Sequence, residues 1–293
     1  MSVGITNTVV IAYIAESNYA GGKAGIKYAK TASTTTGDFT AMNFPQGDQT
    51  MPYKEYEREK IKAAGQALDA VQTFVKGYKY LDSTMKVYPQ NATWLDDILT
   101  GTIGAIPTSY YLKYEQPTKA FDVFGCIVKK YEFTTKEGDW CGESLDWSYY
   151  EVDEGTGIGT GKAFSTTQPT IHKDTALTIG ATPIVNLESM TVTIERELLD
   201  AKASGKYHRM DPVLIKRHVS IKATFYDSSD ALITDTRDAT TNLVTLIADC
   251  GTKALTATNL VQESANVNFI PTSGLYKYEV EYVNGGATSL SAA

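Results

Sequence analysis

The chain has 293 residues, 42% of them hydrophobic, which suffices for one large core or two modest ones, and nothing in the composition marks it as disordered. Lys and Arg number 27 against 34 Asp and Glu, and the net charge of −7 excludes a surface made to grip nucleic acid, though not one that nucleic acid slides past. The longest apolar runs, such as Val9-Val10-Ile11-Ala12-Tyr13-Ile14-Ala15, fall well short of the roughly 20 residues that span a bilayer, and Met1-Ser2-Val3-Gly4 lacks the basic residues of a secretory signal, so a folded protein made in the cytoplasm is expected.

In chain order, the first patterned segment is Glu57-Arg58-Glu59, followed after nine residues by Asp69-Ala70-Val71. Ile61, Ala64, Leu68 and Val71 also fit a helix packed on the outside of a sheet. Over residues 71–88, Val75, Tyr78, Tyr80, Met85 and Val87 stand among Lys76, Lys79, Asp82 and Lys86, a noisy strand pattern. Trp94, Leu95, Ile98 and Leu99 then recur at helical spacing behind Asn91 and Thr93, residues suited to capping. Residues 127–134 and 143–152 read as a hairpin closed by Lys136-Glu137-Gly138-Asp139.

The glycine-rich run from Gly155 to Ala163 looks at first like a phosphate loop. Thr156 stands where the first glycine is needed, however, and Ala163 where a magnesium-binding Ser or Thr is required. The dinucleotide spacing fails as well, at Thr160 or Lys162. A flexible connector over residues 155–181 remains the expectation.

Beyond it, Met190, Val192 and Ile194 alternate with Thr191, Thr193 and Glu195. Val213, Ile215, Val219, Ile221, Ala223 and Phe225 form the clearest strand, with Lys216, His218, Ser220, Lys222 and Thr224 opposite. Between these strands, residues 196–212 make a long excursion of balanced charge, suited to a neighbouring copy with the same mixture or to a solvated flap. Leu243, Leu246 and Ile247 follow Thr240 and Thr241 at helical spacing, and residues 267–270 and 276–283 form a second hairpin around Pro271-Thr272-Ser273-Gly274. Glu195-Arg196-Glu197 followed by Asp211-Pro212-Val213 repeats the first motif at an offset of about 140, and the same order of loop, strand, helix and hairpin follows both copies. Two related β units are therefore expected, over 1–154 with an N-terminal arm and over 182–293.

Catalytic chemistry finds little support. His172, His208 and His218 have no partner at helical metal-binding spacing, and Cys126, Cys141 and Cys250 form no CxxC pair and read as buried free thiols. Asp96/Asp97 and Glu151/Asp153/Glu154 read as a helix first turn and a solvated loop. The 19 tyrosines suit strands and interfaces, where the ring is buried and the hydroxyl finds a partner. Stacking of single-stranded nucleic acid on them would call for a basic groove, which the acidic balance disfavours.

The segment Phe124-Gly125-Cys126-Ile127-Val128-Lys129 leads into a hairpin. Leu187-Glu188-Ser189-Met190-Thr191-Val192-Thr193-Ile194-Glu195-Arg196 leads into a long loop ending at Asp211-Pro212, followed by a strand reaching Thr224-Phe225-Tyr226-Asp227. This layout resembles the major tail tube proteins of long-tailed phages and archaeal viruses, particularly the longer class of two tandem β-barrel-like units. The resemblance implies a mainly β fold of two tandem barrel or sandwich-like units, each with a short flanking helix, and a structural role without enzyme activity, cofactor or metal. It implies rings whose strands join into one inner wall, stacked into the hollow tube of the virion tail, assembled in the host cytoplasm and conducting viral DNA. Six single units make such a ring; a duplicated chain makes it from three copies, the arrangement favoured here over six.

Implied partners are further copies of the chain, the tape-measure protein and viral DNA in the lumen, and the tail terminator and baseplate or tip proteins, with no membrane. On this reading the arms 57–69 and 196–212 make contacts between subunits or rings, and Arg58, Lys60, Arg196, Glu197, Lys206 and Arg209 are the candidate ion-pairing residues. An acidic excess facing inward would repel DNA. A head–tail connector or capsid-decorating protein shares the same profile, and a carbohydrate-binding β-sandwich is the remaining alternative.

Overall fold

The period-two segments all become strands. The computed structural model describes residues 10–15, 40–41, 53–61, 72–81, 83–115, 120–154, 167–199, 212–228, 243–285 and 290–292. The first part of the chain forms β1 (Val10–Ala15), β2 (Thr40–Ala41), β3 (Tyr53–Ile61), β4 (Gln72–Leu81), β5 (Ser83–Val87), α1 (Thr93–Leu99), β6 (Tyr110–Glu115), β7 (Ala120–Lys136), β8 (Gly142–Ser148) and β9 (Glu151–Glu154). The rest forms β10 (Ala176–Ile179), β11 (Thr182–Ile184), β12 (Asn186–Leu199), β13 (Val213–Asp227), β14 (Val244–Asp249), β15 (Ala254–Ile270), β16 (Leu275–Asn284) and β17 (Leu290–Ala292). The protein is mainly β, and α1 is the one α-helix among the described residues. All strands except β3 and β4 belong to one antiparallel sheet, in which β12 of the later part lies directly beside β7 of the earlier part.

The strand pairings recur. In the first part β1 pairs with β2 and β6, β3 with β4, β5 with β8, and β7 with β6, β8 and β9. In the second, β10 pairs with β11 and β14, β12 with β13, β13 with β16, and β15 with β14, β16 and β17. The irregularities recur too. β7 carries a register shift between Val128 and Lys130, and β15 carries one between Gln262 and Ser264. The shift between Tyr110 and Leu112 in β6 is matched between Val244 and Leu246 in β14. Each pair of positions is 134 residues apart. At that same spacing, Gly125 has φ 61° and Asn259 φ 57°, Asn259 being the one described non-glycine residue with positive φ. Asn tolerates the left-handed region because its short polar side chain can bond locally.

The core lies on the inward face of this sheet. Met190, Val192 and Ile194 of β12 and Val219, Ile221, Ala223 and Phe225 of β13 are buried, as the alternation requires. Helix α1 seals one end by burying Trp94, Leu95 and Ile98. Trp94 packs edge-on against Trp147 at 5.2 Å and Tyr110 at 5.4 Å, and tilted against Tyr13 at 4.8 Å, so the largest apolar surfaces converge beneath the helix. Cys126, Cys141 and Cys250 are buried free thiols.

Four expectations change. The helix expected over residues 240–247 is strand β14 from Val244 onward, because Leu246 and Ala248 are buried between β10 and β15 while Ile247 faces outward. The excursion over 196–212 is shorter, since β12 continues to Leu199 opposite Val213. A register shift between Glu197 and Leu198 reverses the phase of β13 at its start, so Leu214 is buried and Ile215 exposed. Within the stretch expected to be a connector, β10 begins at Ala176, while 155–166 lies outside the described residues. The segment around Glu57 is strand as far as Ile61, and the helix that Ile61, Ala64, Leu68 and Val71 could also fit falls beyond it in 62–71, outside the described residues.

Candidate functional site

Three features could serve a contact or a lining. The first is a charged cluster where α1 meets the β12–β13 hairpin. Arg196 continues the inward parity of Met190, Val192 and Ile194, so its side chain enters the interior and is 3% exposed. Its guanidinium donates to Asp97 Oδ2 at 3.1 Å, to the Val128 carbonyl at 3.1 Å, to the Thr100 carbonyl at 3.2 Å and to the Asp97 carbonyl. Arg217, directly opposite in the ladder, donates to the carbonyls of Ile98 at 3.0 Å, Gly101 at 2.6 Å and Thr100. The two arginines thus take up the carbonyls of Ile98, Thr100 and Gly101 at the C-terminal end of α1 and add to the bonds that Thr100 already makes to the Asp97 carbonyl, and they supply positive charge where the helix dipole favours it. Burial raises the Asp97 pKa above the ordinary carboxylate value despite Arg196 and the Tyr110 hydroxyl, which donates to Oδ1 at 2.9 Å.

The second feature is the outward face of the strands running β15, β16, β13, β12, β7, β8, β5. This face is polar from one side to the other, and its charges answer one another. Lys130 sits 3.5 Å from Glu132 and 3.4 Å from Glu195; Lys222 sits 3.3 Å from Glu281; Lys277 sits 3.0 Å from Glu188 and 4.0 Å from Glu279. Thr84 donates to Asp146 at 2.7 Å, Ser220 to Glu281 at 2.9 Å and Asn266 to Glu279 at 3.2 Å. Exposed pairs of this kind are worth a few tenths of a kcal/mol to about 1 kcal/mol each. Their larger effect is to leave no uncompensated cluster of lysines for a phosphate chain.

The third feature is an open sheet margin. Residues 264–270 of β15 pair with β16 on one side and, among the described residues, with nothing on the other. Ser264, Ala265, Asn266 and Asn268 are exposed there, and Phe269 is 54% exposed. Strand β3 pairs only with β4 among the described residues. Unpaired strand margins are pairing templates that soluble monomers normally cover.

Sequence matching then gives the family. The phage tail tube protein family matches residues 80–281, more than half of the chain. The chain belongs to that family. A tail tube protein is a structural component of the virion tail that assembles with copies of itself into a tube, and the mainly β architecture fits such a wall. No curated protein sequence matches this chain.

The six residues expected to make contacts in the tail tube occupy different settings. Glu197 is exposed near the end of β12, its Oε2 3.5 Å from His218 Nε2. Arg58 and Lys60 belong to β3. Arg196 is spent inside the chain on Asp97 and the helix end. Lys206 and Arg209 lie outside the described residues. The charged groups that sequence reasoning missed are Asp97 and Arg217. The sequence places Asp97 in a helix first turn, but it lies near the end of a seven-residue helix whose interior side it shares with Trp94 and Ile98. Its neighbour Asp96 is half-buried and lies 2.7 Å from Lys253. His172, unassigned from the sequence, ties two segments together: Thr135 Oγ1 donates to Nδ1 at 2.8 Å, and Nε2 donates to the Leu187 carbonyl at 2.8 Å. Among the described residues, no group of ligating side chains could hold a metal, and no helix is long and apolar enough to cross a membrane.

Proposed function

We propose that this tail tube protein is a duplicated chain that forms a ring from three copies, and that stacked rings make the conduit for viral DNA during ejection. The observation that carries this reading is the direct pairing of β12 with β7, from Ser189 opposite Lys136 to Glu195 opposite Lys130. It joins two sets of strands with the same pairing pattern into one surface, as adjacent units of a ring wall would be joined. The two units correspond to residues 1–154 and 182–293, with the intervening stretch linking them. Three chains then supply six equivalent sectors.

The polar face is the lumen. Lys130, Lys222 and Lys277 are held by Glu195, Glu281 and Glu188, so a passing phosphate backbone meets cations already neutralised, and each new contact would have to displace a carboxylate. Smooth passage, and a lumen that a tape-measure protein can occupy beforehand, follow from low affinity along the wall. The arms, with Glu197, Lys206, Arg209, Arg58 and Lys60, meet neighbouring subunits or rings. Tail terminator and baseplate or tip proteins take the last ring at each end, and assembly takes place in the host cytoplasm. The role is structural, without catalysis or cofactor.

Negative-stain electron microscopy with light scattering on a sizing column tests the reading. Rings or tubes with a central hole, and a ring mass of three chains of 32.0 kDa, are expected. Six chains per ring would remove the duplicated-wall reading, and discrete rings that never stack would favour a head–tail connector.

A further inference from the structure

The internal junction predicts an external one. Residues 130–134 of β7 are enclosed by β8 on one side and β12 on the other. The counterpart in β15, displaced by 134 residues, has β16 on one side only among the described residues. Burial records the difference: Tyr131, Phe133 and Thr135 are buried in β7, whereas at the matching positions Ala265 and Phe269 are exposed and Val267 is half-buried. The counterpart of β12 is β3, 138 residues earlier by the shared Glu-Arg-Glu, and β3 also lacks a second partner among the described residues. Among the described residues, each chain therefore holds one unpaired copy of each half of a junction that it has already built once.

We propose that β3 of one copy pairs antiparallel with β15 of the next, in the register of the β12–β7 junction: Tyr53 opposite Asn268, Glu55 opposite Asn266, Tyr56 opposite Ala265 and Glu57 opposite Ser264. This rests on the ring reading above and specifies its seam. The contact is head-to-tail, as a closed ring requires, because the two margins are different surfaces of the chain. A second observation falls in the same place. Arg196 donates to the Val128 backbone carbonyl in the internal junction; the position matching Val128 is Gln262, whose buried side-chain Oε1 has no hydrogen-bond partner among the described residues. The residue of β3 that matches Arg196, and so arrives beside Gln262, is Arg58. A buried acceptor without a donor is costly, and a cation supplied by the neighbouring copy satisfies it.

The test uses the full chain carrying both Glu55→Cys and Asn266→Cys, with Tyr56→Cys/Ala265→Cys as a second variant, since facing pairs alternate between about 4.5 and 5.5 Å and one of the two is the closer. After assembly and mild oxidation, a non-reducing gel should show crosslinked multiples of the 32.0 kDa chain, ending at the number of copies in the ring. The single-cysteine variants should stay uncrosslinked, because the native thiols are buried. Glu55→Cys/Ile270→Cys, displaced by four residues or roughly 13 Å, should also stay uncrosslinked. Rings visible by microscopy with neither in-register crosslink would overturn this seam and leave the ring reading intact. Failure of the unsubstituted protein to form any ring would overturn both, and crosslinks confined within single chains would overturn the seam alone.

Discussion

Replacing Arg196 by Met distinguishes an internal clamp from a subunit contact. The substitution keeps much of the side-chain length but removes four donated hydrogen bonds, to Asp97 Oδ2 and to the carbonyls of Asp97, Val128 and Thr100. It leaves the buried Asp97 with the Tyr110 hydroxyl and, farther off, Arg217. Breaking one side of a buried ion pair costs about 3–5 kcal/mol, a large share of the roughly 5–15 kcal/mol that holds a typical domain. The loss is limited by protonation of Asp97. Burial already raises its pKa, and without Arg196 it rises further, so the folded state holds that proton more tightly than the unfolded chain does. The penalty is therefore largest at high pH and shrinks as pH falls toward the ordinary carboxylate range.

Urea unfolding followed by tryptophan fluorescence reads the change, since Trp94 sits on the clamped helix. The protein must be dilute enough to be unassembled, because ring formation would add its own stability. Adding Asp97→Asn to Arg196→Met should recover part of the loss. A cost below about 1 kcal/mol together with lost assembly would refute the internal role and return Arg196 to the subunit surface.

Two further substitutions test the core. Glu143 is fully buried, accepts a hydrogen bond from Tyr131 at 3.0 Å and has no partner for Oε2 among the described residues, and burial pushes its pKa up to about 8. A raised folded-state value means that its contribution is complete below the unfolded value of 4.5 and is lost as pH rises through about 8. Glu143→Gln should flatten that decline, gaining roughly 2–4 kcal/mol over the native protein at pH 9 and little at pH 5; thermal melts across pH that stay parallel would contradict it. At Gly251, φ is +76° and a Cβ would collide with Thr170 Cγ2 and come within 3.3 Å of the Asp174 carbonyl. Gly251→Ala should cost about 2–4 kcal/mol from left-handed strain and overpacking, read as a lower urea midpoint, whereas Ala at the open turn position Gly274 should cost only the strain.

Much of the fold could be read locally. Alternation of apolar and polar residues in one strand follows from the backbone repeat of two, so Met190–Val192–Ile194 and Val219–Ile221–Ala223 declare their faces without reference to any neighbour. The hairpins at Gly138 and Gly274 were legible because a left-handed turn position favours glycine, and α1 was legible from Trp94, Leu95 and Ile98. Residues 243–247 were not, since a short apolar run fits helix and strand alike, and only pairing with β10 and β15 chooses. The parity that buries Arg196 was visible in the sequence, but charge was read ahead of position, and its partner lies 99 residues away.

The family layout and the period-two strands were thus determined by the sequence itself. The tertiary structure alone decided which charges are neutralised within the chain and which strand margins stay open among the described residues, because burial and ion pairing depend on partners brought together from distant segments by the sheet.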